Sequence, residues 1–264
     1  MAKHKDLGVK HAKHRPGCVT RHVSTYDARD SCSHRYHAAK RARAERRIDY
    51  TNAQARAKCA WKDTDKNRKT LATFLKQGKI TGPPSVRGGK LHIAVEPFST
   101  VWWPWLNNAH HIIPRSVLAD ALEEIARSAE DRWERAFDVM IQGLLEEQYN
   151  LNDVPNMIML PVDEADGAAM GLPAHLSARK RDHPAYSKQV RKVVHAVLQM
   201  HYEDLVAAIK AAKHAEEDRP PAVKAALEEI SNITYEQILL KAAASRAAGQ
   251  ADVTLDSLTD GLYK

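Results

Sequence analysis

The sequence predicts an α+β fold, mainly helical with a small pair of strands, on three observations. Apolar residues recur at helical spacing through long segments, as in Leu118, Leu122, Ile125, Trp133, Phe137, Ile141 and Leu145. Strand-like runs are short: Lys90-Leu91-His92-Ile93-Ala94-Val95 alternates, and Met157-Ile158-Met159-Leu160 is an apolar run closed by Pro161. Glycine and proline gather between these segments, at Thr81–Gly89 and at Pro220-Pro221.

Residues 1–34 mix basic residues with turn formers and read as loop or a mobile arm. From about His34 to Trp61 the chain is rich in Ala and Arg without Gly or Pro, which predicts a helix. A second helix is expected over Asp65–Lys76, stopped at Gln77-Gly78. Thr81–Gly89 reads as a linker, with a strand behind it at Lys90–Val95. Trp102, Trp103 and Trp105 are either packing residues at a core edge or a base-stacking platform. One long amphipathic helix is expected from Ser116 to about Gln148, another from Pro184 to about His214, and a last one over about Ala222–Ala248 with a loosely structured tail. The expected division is a basic His- and Cys-containing helical region at 1–80, a linker at 81–90, a core at 91–215, and a C-terminal helix and tail at 216–264. A fragment starting near Lys90 should then keep the chemistry.

At 44% hydrophobic and 28% charged, 264 residues suit one large or two modest globular domains. No apolar run approaches the ~20 residues of a membrane span. No apolar segment follows Met-Ala-Lys-His-Lys, so no cleaved signal peptide is expected. Three irregularly spaced cysteines, Cys18, Cys32 and Cys59, suit a reducing cytosol better than a disulfide framework.

The net charge of +7 is uneven: residues 1–60 carry 15 Lys+Arg against 5 Asp+Glu, and the remainder is net acidic. A basic N-terminal region suits nucleic acid or an acidic protein. It also holds Cys32, His34 and His37 close together, which leaves a zinc module, a basic helical surface or a docking segment open.

The most informative segment is Asn108-Ala109-His110-His111-Ile112-Ile113-Pro114. Neighbouring histidines on a strand point to opposite faces. One imidazole can then hold a metal while the other reaches a water, an arrangement suited to in-line displacement at phosphorus. An ordinary imidazole pKa of ~6.5 leaves a histidine base largely neutral and proton-accepting at neutral pH. No HExxH occurs, so a zinc protease of that type is not supported.

Downstream come Asn150, Asn152 and Asn156 before the Met157–Leu160 run, then Leu172-Pro173-Ala174-His175, then His183-Pro184-Ala185-Tyr186 at a helix start. This ordered set, over about Asn107 to Leu198, resembles the AHH branch of the HNH/endonuclease VII (His-Me finger) nucleases, frequent among bacterial polymorphic toxins. The stretch between Pro114 and Tyr149 reads as a long helical insertion that lengthens the usual hairpin loop. The resemblance implies a ββα-metal core and does not cover the N-terminal helical region or the tail. It implies catalytic roles for His111 as general base and Asn156 as the brace of the base-bearing loop, with Asn152 in support. It implies metal binding by His110, His183 and His175; Leu176 to Asp182 separate the last two, whereas the relatives keep them close. One divalent ion (Mg, Mn, Zn or Ni) is the expected cofactor.

The function expected from this resemblance is an endonuclease acting on DNA, with RNA open. An antibacterial toxin effector is expected, held in the producer's cytoplasm and delivered without a signal peptide by a type VI-like route. Its partners would be an acidic immunity protein and a secretion adaptor or spike protein, with no membrane. The alternatives are a phage or mobile-element HNH endonuclease, and a non-catalytic basic nucleic-acid-binding protein with a structural metal.

Overall fold

A serine starts the first helix: Ser33 Oγ accepts from the Tyr36 amide and caps α1, His34–Ala44, whose Ala38, Ala39 and Ala42 are buried. The computed structural model describes residues 17–19, 32–48, 60–76, 85–92, 107–162, 164–175, 183–211, 220–250, 252–259 and 262–263. The helix expected to reach Trp61 ends at Ala44, because Glu45 turns extended and its carboxylate gathers Arg47 and Tyr235. Good helix formers could not reveal that stop.

β1, Ala60–Lys62, then α2 at the expected Asp65–Lys76, precede a tight hairpin of β2, Ser85–Arg87, and β3, Lys90–His92. The three strands form an antiparallel sheet in the order β1-β3-β2. Gly88 and Gly89 make the turn at φ +56° and +69°, values that suit a two-residue hairpin and disfavour side chains. Within the segment expected to be a linker, residues 85–90 therefore belong to a hairpin. Trp102, Trp103, Trp105 and Cys59 lie outside the described residues.

The site is built on a separate two-stranded antiparallel sheet: β4, Asn107–His111, pairs with β5, Met157–Pro161. Ala109 faces Met159, His110 faces Ile158 and His111 faces Met157 across the ladder. Between the strands run α3, Arg115–Arg127, and α4, Trp133–Glu146, joined by a short 3-10 turn at Glu130–Arg132. A single helix had been the expectation over this insertion. Unbroken, 116–148 would extend ~50 Å. Folding back at Ser128–Glu130, with Glu130 at φ 56°, lets both apolar faces reach one core. Then follow α5, Glu164–Met170, α6, Pro184–Lys210, α7, Lys224–Ala247, and a 3-10 turn at Leu255–Leu258. The tail is more ordered than expected. Val253, Leu255, Leu258 and Leu262 are buried in the main core, and a Thr254–Ser257 capping box holds the turn.

The pleat of β4–β5 sends its two faces to different cores. Ile158 and Leu160 join the large core of Leu118, Leu122, Tyr186, Val190 and their neighbours. Ala109, Met157 and Met159 pack with Ala38, Ala39, Ala42 and Ile48 beneath α1. Arg41 ties α1 down by donating to the carbonyl oxygens of Val154, Pro155 and Met157 at 2.5–3.4 Å. The expected division set residues 1–80 apart, yet α1 shares a core with β4 and β5. Its alanine face, too weakly apolar to signal burial, is what fits against the strands. Among the described residues, no helix is long and apolar enough to cross a membrane.

Candidate active site

His110 and His111 occupy the end of β4, and the strand's alternation separates them. His110 points to the side of α6, where its ring lies 4.7 Å from that of His183, 5.0 Å from that of His175 and 5.5 Å from that of Tyr186, between centroids. His110 Nδ1 and His175 Nε2 stand 3.1 Å apart. One ligand atom from each of His110, His175 and His183 falls within a span of 4.8 Å. His110 and His175 are buried, and His183 is partly exposed.

Three neutral imidazoles are a donor set for a transition-metal ion. Nitrogens sharing one ion at bonds of about 2.0–2.1 Å sit roughly 3–3.5 Å apart, and the His110–His175 pair already meets that separation. The group can therefore hold a metal ion; its identity is not fixed by the donor set. Asn108 Nδ2 lies 3.3 Å from His175 Nδ1. Were His175 Nε2 to bind an ion, its Nδ1–H would donate to Asn108 Oδ1 with that amide turned over from the orientation seen here.

Each ring has its own anchor. His175 follows the end of β5 in space, its amide donating to Pro161 O at 2.8 Å. His183 precedes α6, and its Nδ1 lies 3.3 Å from Ser187 Oγ one turn along. It does not cap its own helix; the Asp256 carboxylate accepts from the amides of Ala185 and Tyr186 instead. The Tyr186 hydroxyl donates to Ile112 O at 2.6 Å, which binds α6 to the residue after the histidine pair.

On the opposite face, His111 Nε2 meets Asn152 Oδ1 at 3.0 Å. The Asn152 amide nitrogen turns toward Asn150 Oδ1 and Cys18 Sγ, which fixes the oxygen on the histidine side. Nε2 of His111 is then the protonated nitrogen and Nδ1 the proton acceptor. The Asn150–Asn152 stretch is itself clamped by the N-terminal segment: Cys18 N donates to Tyr149 O and Leu151 N to Cys18 O. Gly17 permits that approach, since a Cβ there would stand 2.8 Å from Leu145 O.

Asn156 fills every hydrogen-bonding position of its amide. It accepts from Ile113 N (2.7 Å) and Ser231 Oγ (3.1 Å), and donates to Ile113 O (3.1 Å) and Leu151 O (2.8 Å). Its own carbonyl accepts from Ile112 N at 2.9 Å. The link from the chain after β4 to the loop before β5 thus passes through one buried side chain.

The chain was compared with protein families, curated proteins and solved structures, and none of these matches it. The site is therefore read from its own chemistry.

The structure brings His110, His175 and His183 together despite the intervening Leu176–Asp182, and places Asn152 against His111. It sets Asn156 beneath both, as a backbone brace. Further residues gather at the site, among them His34 and His37, which the sequence offered only as part of a possible zinc module. His34, buried at the start of α1, lies with its ring centroid 5.6 Å from that of His111. Its neighbour His37 pairs with Asp153 at 3.1 Å and holds that carboxyl below the usual carboxylate range. Asp256, Ser231 and Cys18 likewise arrive from distant sequence. No local pattern announces them, because each acts through a contact that only folding creates.

Proposed function

We propose that the protein is a metal-dependent endonuclease that hydrolyses phosphodiester bonds, with β4, β5 and the first turns of α6 as a ββα-metal core of the His-Me finger kind. The observation that carries this reading is the split between adjacent side chains: His110 faces a three-imidazole cluster, and His111 faces Asn152. Phosphodiester hydrolysis by in-line attack needs a base on one side of phosphorus and charge stabilisation on the other.

His111 Nδ1 would take the proton of the attacking water. Its Nε2–H, held on Asn152 Oδ1, keeps the ring in the useful tautomer and stabilises the imidazolium that forms. As the new P–O bond forms, the P–O bond to the leaving sugar oxygen breaks. A divalent ion held by His110, His175 and His183 would polarise the phosphate and stabilise the departing oxygen. Asn156 would keep the two histidines in register by fixing Ile112 and Ile113 just beyond them.

DNA is the proposed substrate, and the uneven basicity of the N-terminal region supports a polyanionic one. The test is cleavage of supercoiled plasmid with added divalent ions, stopped by a chelator. Nicking that needs the ion and disappears in His111→Ala supports the reading; ion-independent nicking, or none with any divalent ion, contradicts it. As an extension, we propose a role as an antibacterial toxin with an acidic inhibitor. It rests on the resemblance and the basic N-terminal region, and predicts that inducible expression in a bacterial cytosol arrests growth and that His111→Ala relieves the arrest.

A further inference from the structure

His175 and His183 are flanked by backbone that meets one C-terminal stretch. That stretch, Val253–Asp256, hydrogen-bonds the residue before His175 and the residues two and three after His183. Ala174 N donates to Val253 O at 2.9 Å and Leu255 N donates to Ala174 O at 2.9 Å, a parallel bridge one residue before His175. Two residues further, Asp256 Oδ1 accepts from Ala185 N at 2.7 Å and Tyr186 N at 3.0 Å. These are the first amides α6 has to offer, because Pro184 has none. His183, which would ordinarily be placed to cap this helix, has its Nδ1 on Ser187.

We propose that Val253–Asp256 is a clasp for the imidazole cluster, and that Asp256 is a positioning residue for metal binding. This rests on the reading of His110, His175 and His183 as metal ligands. Ligand atoms must be held within about 0.5 Å of their working positions. The clasp meets that need by fixing the backbone on both sides of the gap to the same four residues. Its own shape is held by the Thr254–Ser257 capping box, in which Ser257 Oγ accepts from Thr254 N and Thr254 Oγ from Ser257 N. Partners of this kind around a metal site typically change affinity 10–100-fold when removed.

The experiment titrates the full chain with Co²⁺, reading affinity and the visible absorption of the bound ion. Asp256→Ala should bind about 10–100-fold more weakly and shift the absorption, which reports ligand geometry and not global stability. Asp256→Asn keeps an oxygen acceptor and should stay near wild type. Unchanged affinity and absorption in Asp256→Ala would overturn the inference, as would an equal loss in the Asn variant. Should Asp256→Ala fail to fold, Ser257→Ala, which loosens the clasp alone, should weaken binding several-fold; no change there overturns the inference as well. Wild-type protein that does not bind Co²⁺ would remove this inference together with the metal-site reading. Wild-type binding and cleavage with an Asp256→Ala that binds normally would remove the clasp alone.

Discussion

Asn156 is where the chemistry of one side chain fixes a whole loop. Replacing it with Ala orphans the Ile113 amide and the carbonyl oxygens of Ile113 and Leu151. At ~1–3 kcal/mol for each buried group left unpaired, a loss of at least about 3 kcal/mol is expected in denaturant unfolding. A loss below ~1 kcal/mol would mean that water replaces the amide at no cost. Asn152 makes a different kind of bond, to one nitrogen of a histidine. Asn152→Ala removes a buried partner of His111 Nε2, so it should cost about 1–3 kcal/mol of stability, and it should let His111 rotate and exchange tautomers. Cleavage should fall by about 10-fold or more, with metal affinity unchanged. A fall in metal affinity instead would assign Asn152 to the other face. His110 and His111 stood out as an adjacent pair on a strand, whereas Asn152, Asn156, His175 and His183 were singled out through the resemblance. The roles of His34 and Asp256 were not legible, since they depend on contacts across the fold.

The elements were legible where local preference and packing agree. The helix at Asp65–Lys76 has a polar start and a glycine stop, and it is observed over those residues. The insertion between the strands was read as one helix because its apolar spacing continues through the break; only the size of the core dictates the fold-back. The end of α1 is set by charge. Glu45 receives Arg47 and the Tyr235 hydroxyl, and its pKa is lowered to about 2, first by the hydrogen bonds from Arg47. A carboxyl depressed in the folded state contributes stability above its unfolded pKa of 4.5, and that contribution is lost as pH falls toward 2. Arg47 is half-exposed, so solvent screening leaves about 1 kcal/mol. Glu45→Gln should therefore be less stable than wild type by about that amount at neutral pH. The difference should shrink between pH 4.5 and 2 in denaturant titrations. A gap that does not change with pH would mean that packing, not charge, holds this corner.

At the scale of the molecule, the histidine-bearing strands lie between α1 and the main helical core. The sequence placed the Met157–Leu160 strand and the helices at Asp65–Lys76, from Pro184 and near Ala222, but merged two helices into one, gave no sign of α5, and set the N-terminal region aside, because charge and a glycine-proline cluster look like a boundary whether or not the chain packs back. A fragment starting at Lys90 would expose Ala109, Met157 and Met159 and lose the Cys18 clamp on the Asn150–Asn152 stretch. It should unfold at markedly lower denaturant than the full chain. Equal stability of the Lys90 fragment would show that α1 adds nothing to the core. Separate tasks for the adjacent histidines are tested most directly by single-turnover plasmid cleavage read beside Co²⁺ affinity for His110→Ala and His111→Ala. His111→Ala should bind the ion as wild type and lose about 10²–10⁴-fold in cleavage, while His110→Ala should lose the ion and cleavage together. Loss of both properties in both variants, or near-normal cleavage by His111→Ala, would contradict that separation.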